Sequence, residues 1–183
     1  KIDCDFLKNR GPNFSKNVIK NSIFFNATTL WQQGSEMSNQ PLTTNDTVLL
    51  FNGDLFMDEI EENQSDTDFL FRLINNANDE SEFLDIFKLI KGPFSIICYF
   101  MSKLYIARDS LGRNSLIIGK KNGMLFFTSV LQARDSIEAI ELPPLGVYSI
   151  DLITREMELF PFEAITHDHT IQQLQSLHKI QTV

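Results

Sequence analysis

The chain has 183 residues, a length suited to one domain, and 43% of them are hydrophobic, with 16 Phe, enough for a sizeable core. Its formal charge of −8 argues against nucleic acid or an anionic membrane as partner, since both reward clustered Lys and Arg. No apolar stretch approaches the roughly 18 residues of a membrane span, and Cys4 and Cys98 form no disulfide framework, so a reducing, cytoplasmic setting is expected.

In chain order, segments 23–25, 47–51, 94–100, 103–107, 115–119, 125–128 and 146–151 are rich in Ile, Phe, Leu and Tyr, are bounded by turn residues, and read as strands. The run Phe94-Ser95-Ile96-Ile97-Cys98-Tyr99-Phe100 is nearly continuous in apolar residues, which predicts a strand covered on both faces. Met101-Ser102 and Lys121-Asn122-Gly123 are short enough to close hairpins. Two helices are expected between the strands. Over 66–77, Phe69, Leu70, Leu73, Ile74 and Ala77 fall on one helical face, and Ser65 with Asp68 forms a capping pair ahead of them. Over 80–90, Phe83, Leu84, Phe87 and Ile90 repeat the pattern, and Gly92-Pro93 stops it. Residues 1–162 read as the domain and 163–183, richer in Gln and His, as a tail or linker.

Two short motifs carry potential chemistry. Asn52-Gly53-Asp54 ends the apolar run Val48-Leu49-Leu50-Phe51, and Ser65-Asp66-Thr67-Asp68 opens the first helix. Local chemistry alone allows a tight turn followed by a helix cap. It equally allows a site, with a backbone N–H and an amide at a strand end facing a carboxylate at a helix start. Fixed donors suit negative charge developing on a carbonyl oxygen, and a carboxylate suits a substrate ammonium.

Three further motifs stand in order around these two: Arg10-Gly11-Pro12-Asn13, Gln40-Pro41-Leu42 and Arg108-Asp109-Ser110-Leu111-Gly112. Over about residues 8–162, the five together resemble the glutaminase domain of class II glutamine amidotransferases, in particular that of glutamine-hydrolysing asparagine synthetases. Leu30-Trp31-Gln32-Gln33-Gly34, Arg113-Asn114-Ser115-Leu116 and Glu141-Leu142-Pro143-Pro144-Leu145-Gly146 look like a divergent animal branch of that group. The resemblance implies an α+β fold, the four-layer αββα sandwich of N-terminal-nucleophile hydrolases. Only nine residues precede Arg10, fewer than the family places there, so an opening strand is expected to be missing.

Carried over residue by residue, the resemblance makes Asn52 and Gly53 the oxyanion hole, and Asp54 and Asp66 substrate-binding residues. Asp66 would meet the α-ammonium of glutamine. It also implies an ATP-using synthetase-type domain as partner in the complete protein. The family nucleophile is an amino-terminal Cys; Cys4 is internal and does not fill that role. An Arg that clamps the substrate carboxylate is expected eleven positions before Gln40, where this chain has Thr29, and no Lys or Arg occurs from Asn21 to Phe71. Arg108 and Asp109 are expected to form a structural ion pair beside a turn. His167-Asp168-His169 reads as a solvated loop, so no metal site is expected, and without a phosphate-binding loop the chain should hold no cofactor. The expected role is glutamine hydrolysis that supplies ammonia for asparagine synthesis. The alternative is a catalytically degenerate domain kept as a docking or regulatory module.

Overall fold

A computed structural model describes residues 5–9, 11–30, 37–61, 63–131 and 138–162. After a short 3-10 helix at Asp5–Asn9, β1 (Phe14–Lys20) and β2 (Ile23–Thr29) form an antiparallel hairpin. Then come β3 (Leu42–Thr43), β4 (Thr47–Gly53), α1 (Asp66–Asn76), α2 (Glu80–Leu89), β5 (Phe94–Phe100) and β6 (Lys103–Arg108). The described chain continues with β7 (Ile117–Lys121), β8 (Met124–Thr128), β9 (Glu138–Glu141), β10 (Gly146–Asp151) and β11 (Met157–Pro161).

Six strands form one antiparallel sheet in the order β11-β10-β6-β5-β4-β3, and β8-β7-β9 form a smaller one. Alternation along each strand of the large sheet sends its side chains into two separate cores. On one face Leu49, Phe51, Ile96, Cys98, Phe100, Tyr105 and Ala107 pack against Phe69, Leu70 and Ile74 of α1 and Phe83, Ile86 and Phe87 of α2. On the other, Val48, Tyr99, Leu104, Ile106, Tyr148 and Ile150 meet Phe25 of the β1–β2 hairpin and Leu116, Ile118 and Leu142 of the small sheet and its flanks. The described layers are therefore helices, large sheet, and a second β layer; of the expected four, no second helical layer occurs among the described residues. Burial on both faces explains the near-continuous apolar run of β5.

The helices start as their sequences dictate. Ser65 Oγ accepts the Asp68 N–H at 3.1 Å and donates to the Asp68 carboxylate at 2.6 Å, a reciprocal cap. Asp79 caps α2 by accepting the Glu82 N–H at 2.9 Å. Phe83 anchors α2, its ring 4.8 Å from that of Phe100 and 4.4 Å from that of Tyr105; emptying a buried aromatic site of this kind costs about 3–5 kcal/mol.

The structure corrects the sequence reading at several elements. The expected strand at 115–119 begins two residues later, at Ile117, and α1 ends at Asn76 with Ala77 as its cap. β1 was not expected, because Lys16 and Lys20 occupy half-buried positions alternating with exposed Ser15, Asn17 and Ile19. Their aliphatic stems lie along the hairpin while Lys16 Nζ reaches the Pro41 carbonyl at 3.1 Å. Arg10, Trp31, Cys4, His167, Asp168, His169 and the proposed tail all lie outside the described residues.

Candidate active site at the end of β4

The site begins with a substitution of side chain for strand. β3 pairs Leu42 with Leu49 and Thr43 with Val48, and a cis Gln40–Pro41 bond precedes it. Beyond β3 the Gln40 amide takes over the ladder: it accepts the Phe51 N–H at 2.7 Å and donates to the Phe51 carbonyl at 2.8 Å. Its Nε2 also lies 3.4 Å from Thr67 Oγ1. The Gln-Pro-Leu motif thus secures the last turn of the pleat before Asn52 and Gly53 and links it to the start of α1.

That pairing decides where the Gly53 N–H points. Amide groups two residues apart on a strand face the same side, so Gly53 presents its N–H toward the Gln40 side, as Phe51 does. The opposite strand makes no claim on it. Phe94, which stands across from Gly53, donates its N–H to Asp109 Oδ2 at 3.2 Å and accepts the Asp109 N–H at 3.0 Å. Glycine is required here by proximity: a Cβ would lie 2.2 Å from the Pro93 carbonyl oxygen and 2.8 Å from Phe94 Cα. Asn52 is exposed, on the strand face shared with Val48 and Leu50, and its carbonyl accepts a hydrogen bond from Asn114 Nδ2 at 2.7 Å.

Asp66 occupies the first position of α1, where the helix dipole favours a carboxylate. It is buried, and its Oδ2 accepts the Leu55 N–H at 2.6 Å. Burial raises its pKa above the ordinary carboxylate value; the Leu55 bond opposes this and the nearby Asp54 charge adds to it. Asp54 is exposed, its N–H held by the Pro93 carbonyl at 2.9 Å.

Asn52, Gly53, Asp54 and Asp66 line one cleft of about 1110 Å³, together with Gln40 and Thr29. The structure thus brings all four sequence-predicted residues to one cavity. Its described cationic lining is Lys120, Lys121 and Arg155, none of which stands on β2, β4 or α1. Strand pairing aligns Asp151 with Lys103, Phe100 and Thr47, so the β10–β11 turn that carries Arg155 lies at the end of the large sheet where β4 starts, with β6 and β5 between them, and at least roughly 20 Å from Gly53. Thr29 Oγ1 and Asn26 Oδ1 on β2 are buried without a hydrogen-bond partner.

The expected Arg108–Asp109 ion pair does not form. Arg108 pairs instead with Glu141 at 2.6 Å and donates to the carbonyls of Asn114, Leu142 and Gly112. Asp109 accepts from Arg113 Nε at 3.0 Å and from the backbone N–H groups of Phe94, Leu111 and Arg113. Adjacent residues on a strand project to opposite faces, so these two side chains serve different partners. Sequence reasoning also missed Asn114, whose contact with Asn52 spans 62 positions. Its signals were its place just after the Arg-Asp-containing turn and its membership of the Arg113-Asn114-Ser115-Leu116 motif, to which no role was given. Cys98 lies buried inside β5, where burial pushes its thiol pKa far up, and it is no nucleophile.

Comparison with known proteins gives the family and the fold. Residues 27–135 match the family described as a glutamine amidotransferase domain. The chain is 34% identical to the asparagine synthetase domain-containing protein CG17486 of Drosophila melanogaster, over 93% of this chain and 32% of that protein. It is 32% identical to the asparagine synthetase domain-containing protein 1 of Homo sapiens, over 91% of this chain and 29% of that one. With asparagine synthetase [glutamine-hydrolyzing] 1 of Saccharomyces cerevisiae it shares 28% identity over 81% of this chain and 29% of the other. The chain thus spans about a third of the length of these relatives. Among solved structures, glutamine phosphoribosylpyrophosphate amidotransferase from B. subtilis, complexed with ADP and GMP, superposes with a TM-score of 0.59 at 19% identity, covering 76% of this chain and 35% of that one. That likeness fixes the fold as the α+β sandwich of the N-terminal-nucleophile amidotransferases. By its match over more than half its length, the chain belongs to the glutamine amidotransferase domain family.

Proposed function

We propose that this domain hydrolyses the side-chain amide of glutamine, and that the complete protein passes the ammonia to an ATP-using domain of the asparagine synthetase type. The observation that carries the reading is the Gly53 N–H, turned away from β5 in the same cleft as the buried Asp66 carboxylate. A thiolate attacking the amide carbon would leave negative charge on its oxygen, which the Gly53 N–H and the Asn52 amide would hold. Asp66, with Asp54 beside it, would take the substrate ammonium. Collapse of the tetrahedral intermediate releases ammonia, and water then releases glutamate from the thioester. The nucleophile in this reading would be the amino-terminal cysteine that the family resemblance implies, a role that the internal Cys4 and the buried Cys98 do not fill. The relatives named as asparagine synthetase-like support the partner domain.

A second reading, a docking or regulatory domain that has lost turnover, is favoured by one observation: Thr29 is uncharged where the family resemblance places a carboxylate clamp. Ammonia release from glutamine by the complete protein separates the two. The hydrolase reading expects turnover, with Asn52→Ala lowering kcat by about 100-fold or more. Turnover that is absent, or indifferent to Asn52→Ala, assigns the domain to docking.

A further inference from the structure

We propose that Asn114 is a positioning residue for the oxyanion donor of this site, acting through the Asn52–Gly53 peptide; this deepens the glutaminase reading and rests on it for its kinetic consequence. The Asn52 carbonyl and the Gly53 N–H belong to one planar peptide unit and point in opposite directions. Asn114 Nδ2 donates to that carbonyl at 2.7 Å. Asn52 also pairs with Ser95 of β5, so Asn114 adds a second hold on this oxygen; together they set the plane, and the plane aims the N–H into the cleft.

Asn114 is itself held. Its carbonyl accepts Arg108 Nε at 2.7 Å, and Arg108 is buried and tied further to the Leu142 carbonyl at 2.9 Å and to Glu141 at 2.6 Å. Asp109 folds the intervening turn around its carboxylate through Leu111, Arg113 and Phe94. The turn after Arg108-Asp109 and the Asn-Gly end of β4 thus meet at one peptide bond. A second effect adds to the geometric one. A donor on an amide oxygen polarises the amide, so its N–H becomes a better donor to an oxyanion. Asn114 touches no reacting atom; it acts through Gly53.

The test uses the complete protein labelled with carbonyl-13C Asn and 15N Gly, which selects the amides of glycines that follow Asn. In this sequence those are Gly53 and Gly123. Gly123 lies in the β7–β8 turn and serves as the internal reference. Asn114→Asp is isosteric and exchanges the donor for an acceptor; Asn114→Ala removes both. In both variants the Gly53 amide signal should move and Gly123 should stay, while kcat for glutamine falls about tenfold with KM within about twofold, the pattern of an interaction realised in the transition state. A Gly53 signal unmoved in Asn114→Asp overturns the positioning role, and so does an unchanged kcat. If the unaltered protein shows no turnover, the glutaminase reading fails separately, and the Gly53 signal alone decides whether Asn114 sets this peptide.

Discussion

Asp66 accepts the Leu55 N–H at 2.6 Å, so the first residue of α1 is joined directly to the chain leaving β4. The bond gives the carboxylate a structural duty beside its proposed role at the ammonium. Asp66→Ala leaves a buried N–H without an acceptor and should cost about 1–3 kcal/mol, measured by urea unfolding. The same carboxylate predicts a pH signature. Its folded pKa is raised by burial, against the Leu55 bond and with Asp54. A raised folded value means the native state binds more protons than the unfolded chain above about pH 4, so Asp66 makes stability fall as pH rises through its folded pKa. Asp66→Asn lacks this term. Relative to that variant, the unaltered protein should lose stability from about pH 4 upward and then level off; a flat difference would contradict the assignment.

Asp109 should behave in the opposite sense. Burial alone would raise its pKa, but the hydrogen bonds from Arg113 and from the Phe94 and Leu111 N–H groups outweigh it and hold the carboxyl below its ordinary value. Its contribution is therefore present above the unfolded pKa and lost as pH falls through the lower folded one. Asp109→Ala orphans the Phe94 N–H and the turn around 109–113 together, an expected loss of about 3 kcal/mol at neutral pH. Thermal or urea unfolding at pH 7 and pH 3 checks both the size and its shrinkage in acid.

These two carboxylates also mark where the sequence was informative. Helical periodicity and the Ser65 cap located α1 and thereby Asp66, because local patterns determine helix starts. The Asn-Gly-Asp ending of β4 was legible in the same way. The pairing that gives Asn52 and Gly53 their orientation was not, since Gln40, Phe94 and Asn114 reach β4 from 11 to 62 positions away. β1 escaped because lysine stems lie where apolar side chains would announce a strand. Separating Arg108 from Asp109 required the strand alternation that residue type alone does not reveal.

Gln40→Glu tests whether a side chain really replaces the ladder. Glutamate retains an acceptor for the Phe51 N–H but turns the donor facing the Phe51 carbonyl into a second acceptor. The expected loss is about 1–3 kcal/mol of stability. Hydrogen exchange at Phe51 should quicken, as the end of β4 loses its outer support. Unchanged stability and exchange would show the Gln40 amide to be dispensable.

Thr29→Arg tests the charge inventory of the cleft. At the β4 end the proposed site offers two carboxylates, Asp54 and Asp66, whereas Arg155 of the described cationic lining sits at least roughly 20 Å away, at the other end of the large sheet. Free glutamine carries a carboxylate as well as an ammonium, and a neutral hydroxyl cannot match a bidentate guanidinium for it. Thr29 lines the same cleft, eleven positions before Gln40, with a hydroxyl that has no hydrogen-bond partner. A guanidinium introduced there adds one or two charge-assisted hydrogen bonds, about 1.5–3 kcal/mol, or roughly ten- to hundredfold in affinity. Calorimetry on the complete protein should therefore show weak glutamine binding that Thr29→Arg tightens by that factor, while Thr29→Val leaves it weak. Micromolar binding by the unaltered protein would mean that another group clamps the carboxylate.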